Sequence, residues 1–401
     1  MCKKIGQYFT KDERLQTKVL QLCKNSGAFL EPSAGEGHLV SVFEKNYQNI
    51  TALELDSTLK PCCATSIIYM DFFDYSVLNT FDTIFGNPPY LKNRSLPSTI
   101  KDKLAATSRL SNCNIFYNFI EKSFWHLRDR GEIIFIIPRE FTNSTRATPL
   151  RELLFKYGTI TDFIDYEEDK FFKGAAPSVV IIRYEKGNLS HKTNYERQGA
   201  IKHLNEKLHN GSYLFVEDGS LKRQPLSNFF EIKVGIVSGL NSFYERDSYF
   251  SIPIICSDFL KTGKKRNFIF VDTYLLEEIQ REDPVLFNYL ISNKEALITR
   301  RIKIFDESNW YHWGAIRNLK QMQEPGKCIY VNAKTREQKP FFVGDRGYYD
   351  GSILALYPKE ELDLYFWCDL LNDSVEEFKA QGLYVNNKYN FSIKTLSDFL
   401  V

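Results

Sequence analysis

Between residues 27 and 184, short apolar, β-branched or aromatic runs alternate with longer stretches in which apolar positions recur at helical spacing. The runs at 27–31, 50–54, 67–70, 81–85, 132–137, 159–164 and 177–184 predict seven strands. The intervening periodic segments predict helices over 38–46, 115–129 and 146–157. Strands apolar on both faces, joined by helical crossovers, predict a doubly wound α/β sheet. In such a sheet the ligand crevice lies beyond the carboxyl ends of the strands. From 185 to 230 the rhythm is lost among polar residues and a Gly/Ser turn, so a boundary is expected near 190, with domains 1–190 and 191–401.

The candidate chemistry collects at the expected strand ends. Asn87-Pro88-Pro89-Tyr90 follows the fourth strand directly. Two prolines fix φ and remove two amide donors, giving a rigid turn with free carbonyls. The Asn87 amide oxygen and the Pro88 carbonyl can together accept both hydrogens of a planar exocyclic amine, which aims the nitrogen lone pair at an electrophile. Tyr90 offers a ring for stacking on the base that bears the amine. After the first strand, Glu31-Pro32-Ser33-Ala34-Gly35-Glu36-Gly37-His38 is a small, Gly-containing turn opening a helix, where backbone can approach a ligand closely. Its leading carboxylate disfavours pyrophosphate and suits a cationic or hydroxyl-rich ligand. Glu54 ends the second strand, a position that commonly holds ribose hydroxyls. Asp71, followed by Phe72 and Phe73, ends the third, where a carboxylate can accept from an adenine amino group and a ring can flank it.

These motifs, in this order, resemble the S-adenosylmethionine-dependent adenine-N6 DNA methyltransferases of restriction–modification systems, the gamma class of TaqI-type methylases. The resemblance covers about residues 5–186 and implies a Rossmann-like methyltransferase sheet. Gly6-Gln7-Tyr8-Phe9-Thr10 is similar to the family's N-terminal motif, which implies that the Thr10 hydroxyl meets the methionine carboxylate of S-adenosylmethionine. It assigns Glu31, Ser33, Gly35 and Gly37 to the cofactor loop, Glu54 to the ribose, Asp71 and Phe72 to the cofactor adenine, and Asn87, Pro88 and Tyr90 to catalysis. Residues 114–122 are similar to the helix that follows. Phe172, better spaced than Phe171 ahead of 179–183, resembles the aromatic that packs on an extruded target base. The implied function is methylation of the N6 amino group of a flipped adenine in double-stranded DNA, with a cognate endonuclease acting as a separate protein. The same amine chemistry leaves cytosine N4, protein glutamine and ribosomal RNA guanine N2 as alternative acceptors. A Cys nucleophile for cytosine C5 is not supported, because Pro61-Cys62 lies between the second and third strands.

The second half resembles the family only at its start, where 232–244 are similar to the entry of a target-recognition domain; an α+β reader of DNA is expected there. The clusters Lys261, Lys264, Lys265, Arg266 and Arg300, Arg301, Lys303 suit phosphates. Arg317, Asn318, Asn332, Lys334 and Arg336 are residue types that read base edges. Across the 401 residues the net charge is only +2, which excludes a histone-like basic chain. Aromatic residues reach 15%, enough for both core and stacking surfaces. Glu231-Ile232-Lys233 is half of a nuclease signature without its acidic partner. A DNA-binding module with a degenerate cofactor fold is disfavoured, because every catalytic position is intact. The eight cysteines form no CxxC pair and the six histidines no ligand spacing, so no metal is expected. With no apolar run near the ~20 residues of a membrane span and no secretory pattern at residues 1–7, a cytoplasmic protein is expected.

Overall fold

The computed structural model describes residues 8–401 apart from 77, 109, 111, 167–170, 173–177, 210, 218–222, 381–382 and 386–387. The chain forms two compact units, one of Met1–Lys222 with Ala380–Asn386, the other of Arg223–Lys379 with Asn387–Val401.

In the first unit a helix, α1 (Glu13–Leu22), precedes the sheet. Its strands are β1 (Phe29–Glu31), β2 (Ile50–Glu54), β3 (Ile67–Tyr69), β4 (Phe81–Gly86), β5 (Leu127–Pro138), β6 (Gly158–Asp165) and β7 (Val179–Lys186). The helices α2 (His38–Phe43), α3 (Ser98–Thr107), α4 (Ile115–His126) and α5 (Thr148–Tyr157) lie between them in the chain. All seven expected strands are present. The helix expected to reach residue 129 stops at His126, because Leu127 already pairs with Phe81 of β4 and Arg130 turns the chain at φ 61°. Strand order is β3-β2-β1-β4-β5-β7-β6, then β8 (Lys192–Arg197), β9 (Ala200–His209) and β10 (Ser212–Val216). Strands β3, β2, β1, β4 and β5 are mutually parallel, and β7 is inserted antiparallel between β5 and β6. The result is a mixed ten-stranded sheet. The break expected at 190 therefore falls inside this unit. Strands β8 and β9 face water on much of their length, and their polar sequences carry no apolar run to announce them.

Buried polar groups tie the sheet together. Glu132 on β5 accepts from the amides of Lys24 and Asn25, from the Thr83 hydroxyl at 2.9 Å, and from Arg183 of β7 at 2.6 Å. A buried pair of this kind is strongly destabilising when one partner is removed.

The second unit is antiparallel. Strands β11 (Phe230–Val234), β14 (Lys327–Asn332), β16 (Phe341–Asp345) and β17 (Ile353–Pro358) form a sheet in the order β11-β17-β14-β16. Strands β12 (Ser251–Ile254) and β13 (Arg266–Ile269) pair separately, and β15 (Lys334–Thr335) pairs with residues 388–390. The core is aromatic, with Trp310, Trp313, Tyr244, Tyr330 and Tyr349 buried. No described helix in either unit is long and apolar enough to cross a membrane.

Candidate active site

Because β1, β2, β3 and β4 are parallel, their carboxyl ends share one edge, and the residues that follow them converge on a cavity of about 310 Å³. Its walls include Tyr8, Ser33, Gly35, Glu54, Asp71, Phe72, Asn87 and Pro89. A smaller recess of about 20 Å³ adjoins these residues and is lined by Thr10, Glu31, Ser33, Gly35, His38 and Asn87.

The loop after β1 is shaped by two glycines. Gly35 sits at φ 58°, donates its N–H to Glu54 Oε2 at 2.8 Å, and leaves no more than 3.1 Å between an added Cβ and the Phe9 ring. Gly37 sits at φ 80° ahead of α2, where a Cβ would meet Cys63 Sγ at 2.5 Å. Side chains at either position would displace the loop or its neighbours. Glu54 Oε1 accepts from the Asp56 amide, so both its oxygens are fixed by backbone while the side chain still faces the cavity. Glu31 is the opposite case. It is 2% exposed and its Oε2 has no partner. Burial, with the Glu54 carboxylate adding repulsion, pushes its carboxyl well above the usual range. An orphaned acceptor beside an acid, facing a small recess, fits an ammonium or other cationic donor.

Asp71 caps a single 3-10 turn, accepting from the Phe73 amide at 2.9 Å. Its other oxygen is held by Lys103 Nζ of α3 at 2.7 Å, and Lys103 also reaches Asp74. The sequence reading missed Lys103, since nothing in residues 98–107 signals that α3 returns to β3. Phe72 is buried against Phe119, with the Lys122 ammonium 5.2 Å above its ring.

Asn87 is fixed at both ends of its amide. Its Nδ2 donates to the Tyr8 carbonyl at 2.8 Å and to Thr10 Oγ1 at 3.1 Å, and its Oδ1 accepts from the Tyr90 hydroxyl. Tyr90 Oη also reaches the Ile136 carbonyl at 2.9 Å. No described residue donates to the Pro88 carbonyl. Tyr90 and Phe172 are both buried and share Tyr8 as a neighbour, its ring 5.2 Å from either centroid; Tyr90 also meets Phe116. Residues 6 and 7 of the N-terminal motif lie outside the described residues.

Against this geometry, residues 35–172 match the family model of the Eco57I restriction-modification methylase. The match spans every site residue above from Gly35 to Phe172, and the strand ends that build the cavity lie mostly inside it. Among curated relatives, the type II methyltransferase M.HindII of Haemophilus influenzae is 26% identical over 98% of this chain and 88% of its own. M.HincII of the same species is 35% identical, over 46% of this chain and 38% of its own length. M.AccI of Acinetobacter calcoaceticus is 23% identical over 77% of this chain and 69% of its own. Among solved structures, the type IIL restriction-modification enzyme MmeI in complex with DNA superposes with a TM-score of 0.63 at 12% identity. That match covers 97% of this chain and 64% of MmeI, and at this identity it speaks for the fold.

Outside residues 35–172, the basic residues of the second unit are not one surface. Arg300 is only 8% exposed and donates to the carbonyls of Leu297, Ser238, Trp310 and His312. That corrects its assignment to phosphates, because its guanidinium is used inside the fold. Arg266 bridges Glu245 and Asp258, and Lys261 pairs with Glu337. Lys264, Lys265, Arg301 and Lys303 are exposed. Of the expected base readers, Arg317 and Asn318 bond to the Gly235 and Val234 carbonyls and Asn332 to that of Ser257, while Lys334 and Arg336 are exposed. Glu231 and Lys233 pair with each other at 2.6 Å. No group of three or more His, Cys, Asp or Glu among the described residues could hold a metal ion.

Proposed function

We propose that this methylase transfers a methyl group from S-adenosylmethionine to the N6 amino group of an adenine turned out of double-stranded DNA, at a specific sequence. The observation that carries the reading is the state of Asn87 and Pro88. The amide is oriented by three hydrogen bonds in the lining of both cavities, and the adjoining carbonyl has no donor among the described residues.

The residues fit the cofactor chemically. Glu31, with its orphaned oxygen, suits the ammonium of the methionine moiety. In this reading Thr10 meets the carboxylate, Glu54 the ribose hydroxyls, and Asp71 with Phe72 the adenine; all four line the two cavities beside the Ser33–Gly37 loop. When bound, S-adenosylmethionine supplies a methyl group on a cationic sulfur that needs no further activation.

The chain supplies position and charge. Asn87 Oδ1 and the Pro88 carbonyl accept the two amine hydrogens and hold the nitrogen lone pair toward the cavity. Oδ1 keeps a second lone pair for the amine, and Tyr90 Oη has the Ile136 carbonyl as its alternative acceptor. Fixed acceptors of this kind lower the barrier by orientation and by matching the charge that grows on nitrogen. The extra proton on the alkylated nitrogen leaves to water. Extruding the base costs a few kcal/mol, and the exposed Lys264, Lys265, Arg301 and Lys303 of the second unit are candidates for the backbone contacts that offset it.

The test is methyl-sensitive long-read sequencing of DNA from a host expressing the chain. N6-methyladenine at one recurring motif is expected. Methylation of cytosine N4, or unmodified DNA with methylated ribosomal RNA or protein glutamine, overturns the assignment.

A further inference from the structure

Tyr90 is buried and already partnered. Tyr8 lies across it at 5.2 Å and 31°, Phe116 meets its edge at 6.2 Å and 82°, and its hydroxyl is bound to Asn87 and the Ile136 carbonyl. Phe172 is covered by the same Tyr8 ring, at 5.2 Å and 55°. Among the described residues the structure records no direct contact between the Tyr90 and Phe172 rings. Tyr8 joins them, at separations typical of favourable aromatic pairs, about 4.5–7 Å.

The backbone around Tyr8 is anchored. Its carbonyl is held by Asn87 Nδ2, Thr10 Oγ1 by the same amide, and the Thr10 carbonyl by Gln16 Nε2 at 2.7 Å. Rotation of the Tyr8 side chain therefore leaves Asn87 bound. A slot with aromatic walls left empty would forfeit dispersion attraction on both faces; a resident ring retains it. A planar guest replaces one aromatic partner by another, so its net gain is smaller than stacking on an open slot would give.

We propose that Tyr8 is the intramolecular occupant of a slot for a planar base, displaced by side-chain rotation when the base enters between Tyr90 and Phe172. Only the identity of the guest, a target adenine, rests on the proposed function. The slot and its occupant rest on ring geometry.

The test uses the full chain saturated with S-adenosylhomocysteine, so that the cofactor cavity is filled, and titrates 2-aminopurine deoxyriboside, a fluorescent purine quenched by aromatic stacking. Tyr8→Ala is expected to bind this probe about tenfold more tightly than the unsubstituted chain. The added Phe172→Ala substitution is expected to abolish that gain. Should Tyr8→Ala fail to fold, Tyr8→Leu, which cannot stack, is expected to give a gain in the same direction. Probe binding by the folded variant no tighter than that of the unsubstituted chain overturns the proposal. Transfer of tritiated methyl to unmodified plasmid is read in parallel. Gain without transfer removes DNA methylation and keeps the slot, whereas transfer without gain removes the slot and keeps methylation.

Discussion

The two units use charged side chains in opposite ways. In the first, acidic groups stand at the ends of β1 and β2 and just past β3, where their partners are backbone amides, one lysine or, for Glu31 Oε2, nothing. In the second, three of the seven basic groups picked out by clustering are turned inward or onto acids: Arg300 onto carbonyls, Arg266 and Lys261 onto carboxylates. The difference follows from topology. Parallel strands all end on one edge, so a residue's place after a strand fixes its place in space. Antiparallel returns send successive polar residues to opposite ends, and sequence proximity no longer marks a surface.

The comparison breaks most visibly at Asn87. If the first unit's groups are placed for chemistry, Asn87→Ala should lower methyl transfer to unmodified plasmid by about a thousandfold. Binding of S-adenosylhomocysteine, measured by calorimetry, should change only severalfold. Equal losses in both would make Asn87 a structural cap for the N-terminal motif.

In the second unit the contrast is between neighbours. Arg300→Met removes a donor from four carbonyls, leaving Ser238 with the Gly314 amide and His312 with the Tyr244 hydroxyl, and should destabilise the unit by about 3 kcal/mol, read from urea unfolding followed by tryptophan emission, since Trp310 and Trp313 lie in this core. Arg301→Ala should leave the midpoint unchanged. Removing Lys264, Lys265, Arg301 and Lys303 together should flatten the salt dependence of DNA binding, by about one unit of slope for each phosphate that is no longer neutralised. An unchanged slope takes these residues out of the interface.

The same topology explains what the sequence made legible. The strand ends carrying Glu31, Glu54, Asp71 and Asn87 were readable because apolar runs locate parallel strands and small or rigid residues follow them. Strands β8 and β9 were not, because 192–209 are largely polar; the short apolar run of β10 stands alone behind them, and only the pairing of β8 with β6 ties these hairpins to the sheet. Tyr8 was placed in a motif but not between Tyr90 and Phe172, since 82 residues separate it from Tyr90 and only the folded chain brings the rings together. Arg300 misled because a basic pair looks alike whether it faces water or carbonyls.

Glu31 sharpens the comparison through pH. Burial and the Glu54 carboxylate raise its carboxyl in the folded chain above its value when unfolded. The folded state thus keeps a proton that the unfolded state releases, and the associated stability is complete below the unfolded value and lost as pH rises through the folded one. Glu31→Gln escapes this loss. Without cofactor, the variant should melt a few degrees above the unsubstituted chain at alkaline pH, at roughly 2–4 °C per kcal/mol, with the two curves meeting in acid. The variant should also bind S-adenosylhomocysteine more weakly. A melting difference independent of pH refutes the buried-proton account.

The smallest expected effect concerns Lys103, where α3 meets the carboxylate after β3. Its ammonium is partly solvated, and such pairs contribute about 0.5–1 kcal/mol, so Lys103→Met should weaken S-adenosylhomocysteine binding only two- to fivefold. The direction carries the information. If Lys103 holds Asp71 Oδ2 so that the carboxylate faces a purine amine, affinity falls, Lys103→Arg restores it, and binding of methionine alone is untouched. If Lys103 instead competes with the purine for that oxygen, Lys103→Met binds more tightly. A loss shared equally by methionine places the effect in the fold of α3, because methionine lacks the purine that Asp71 would hold.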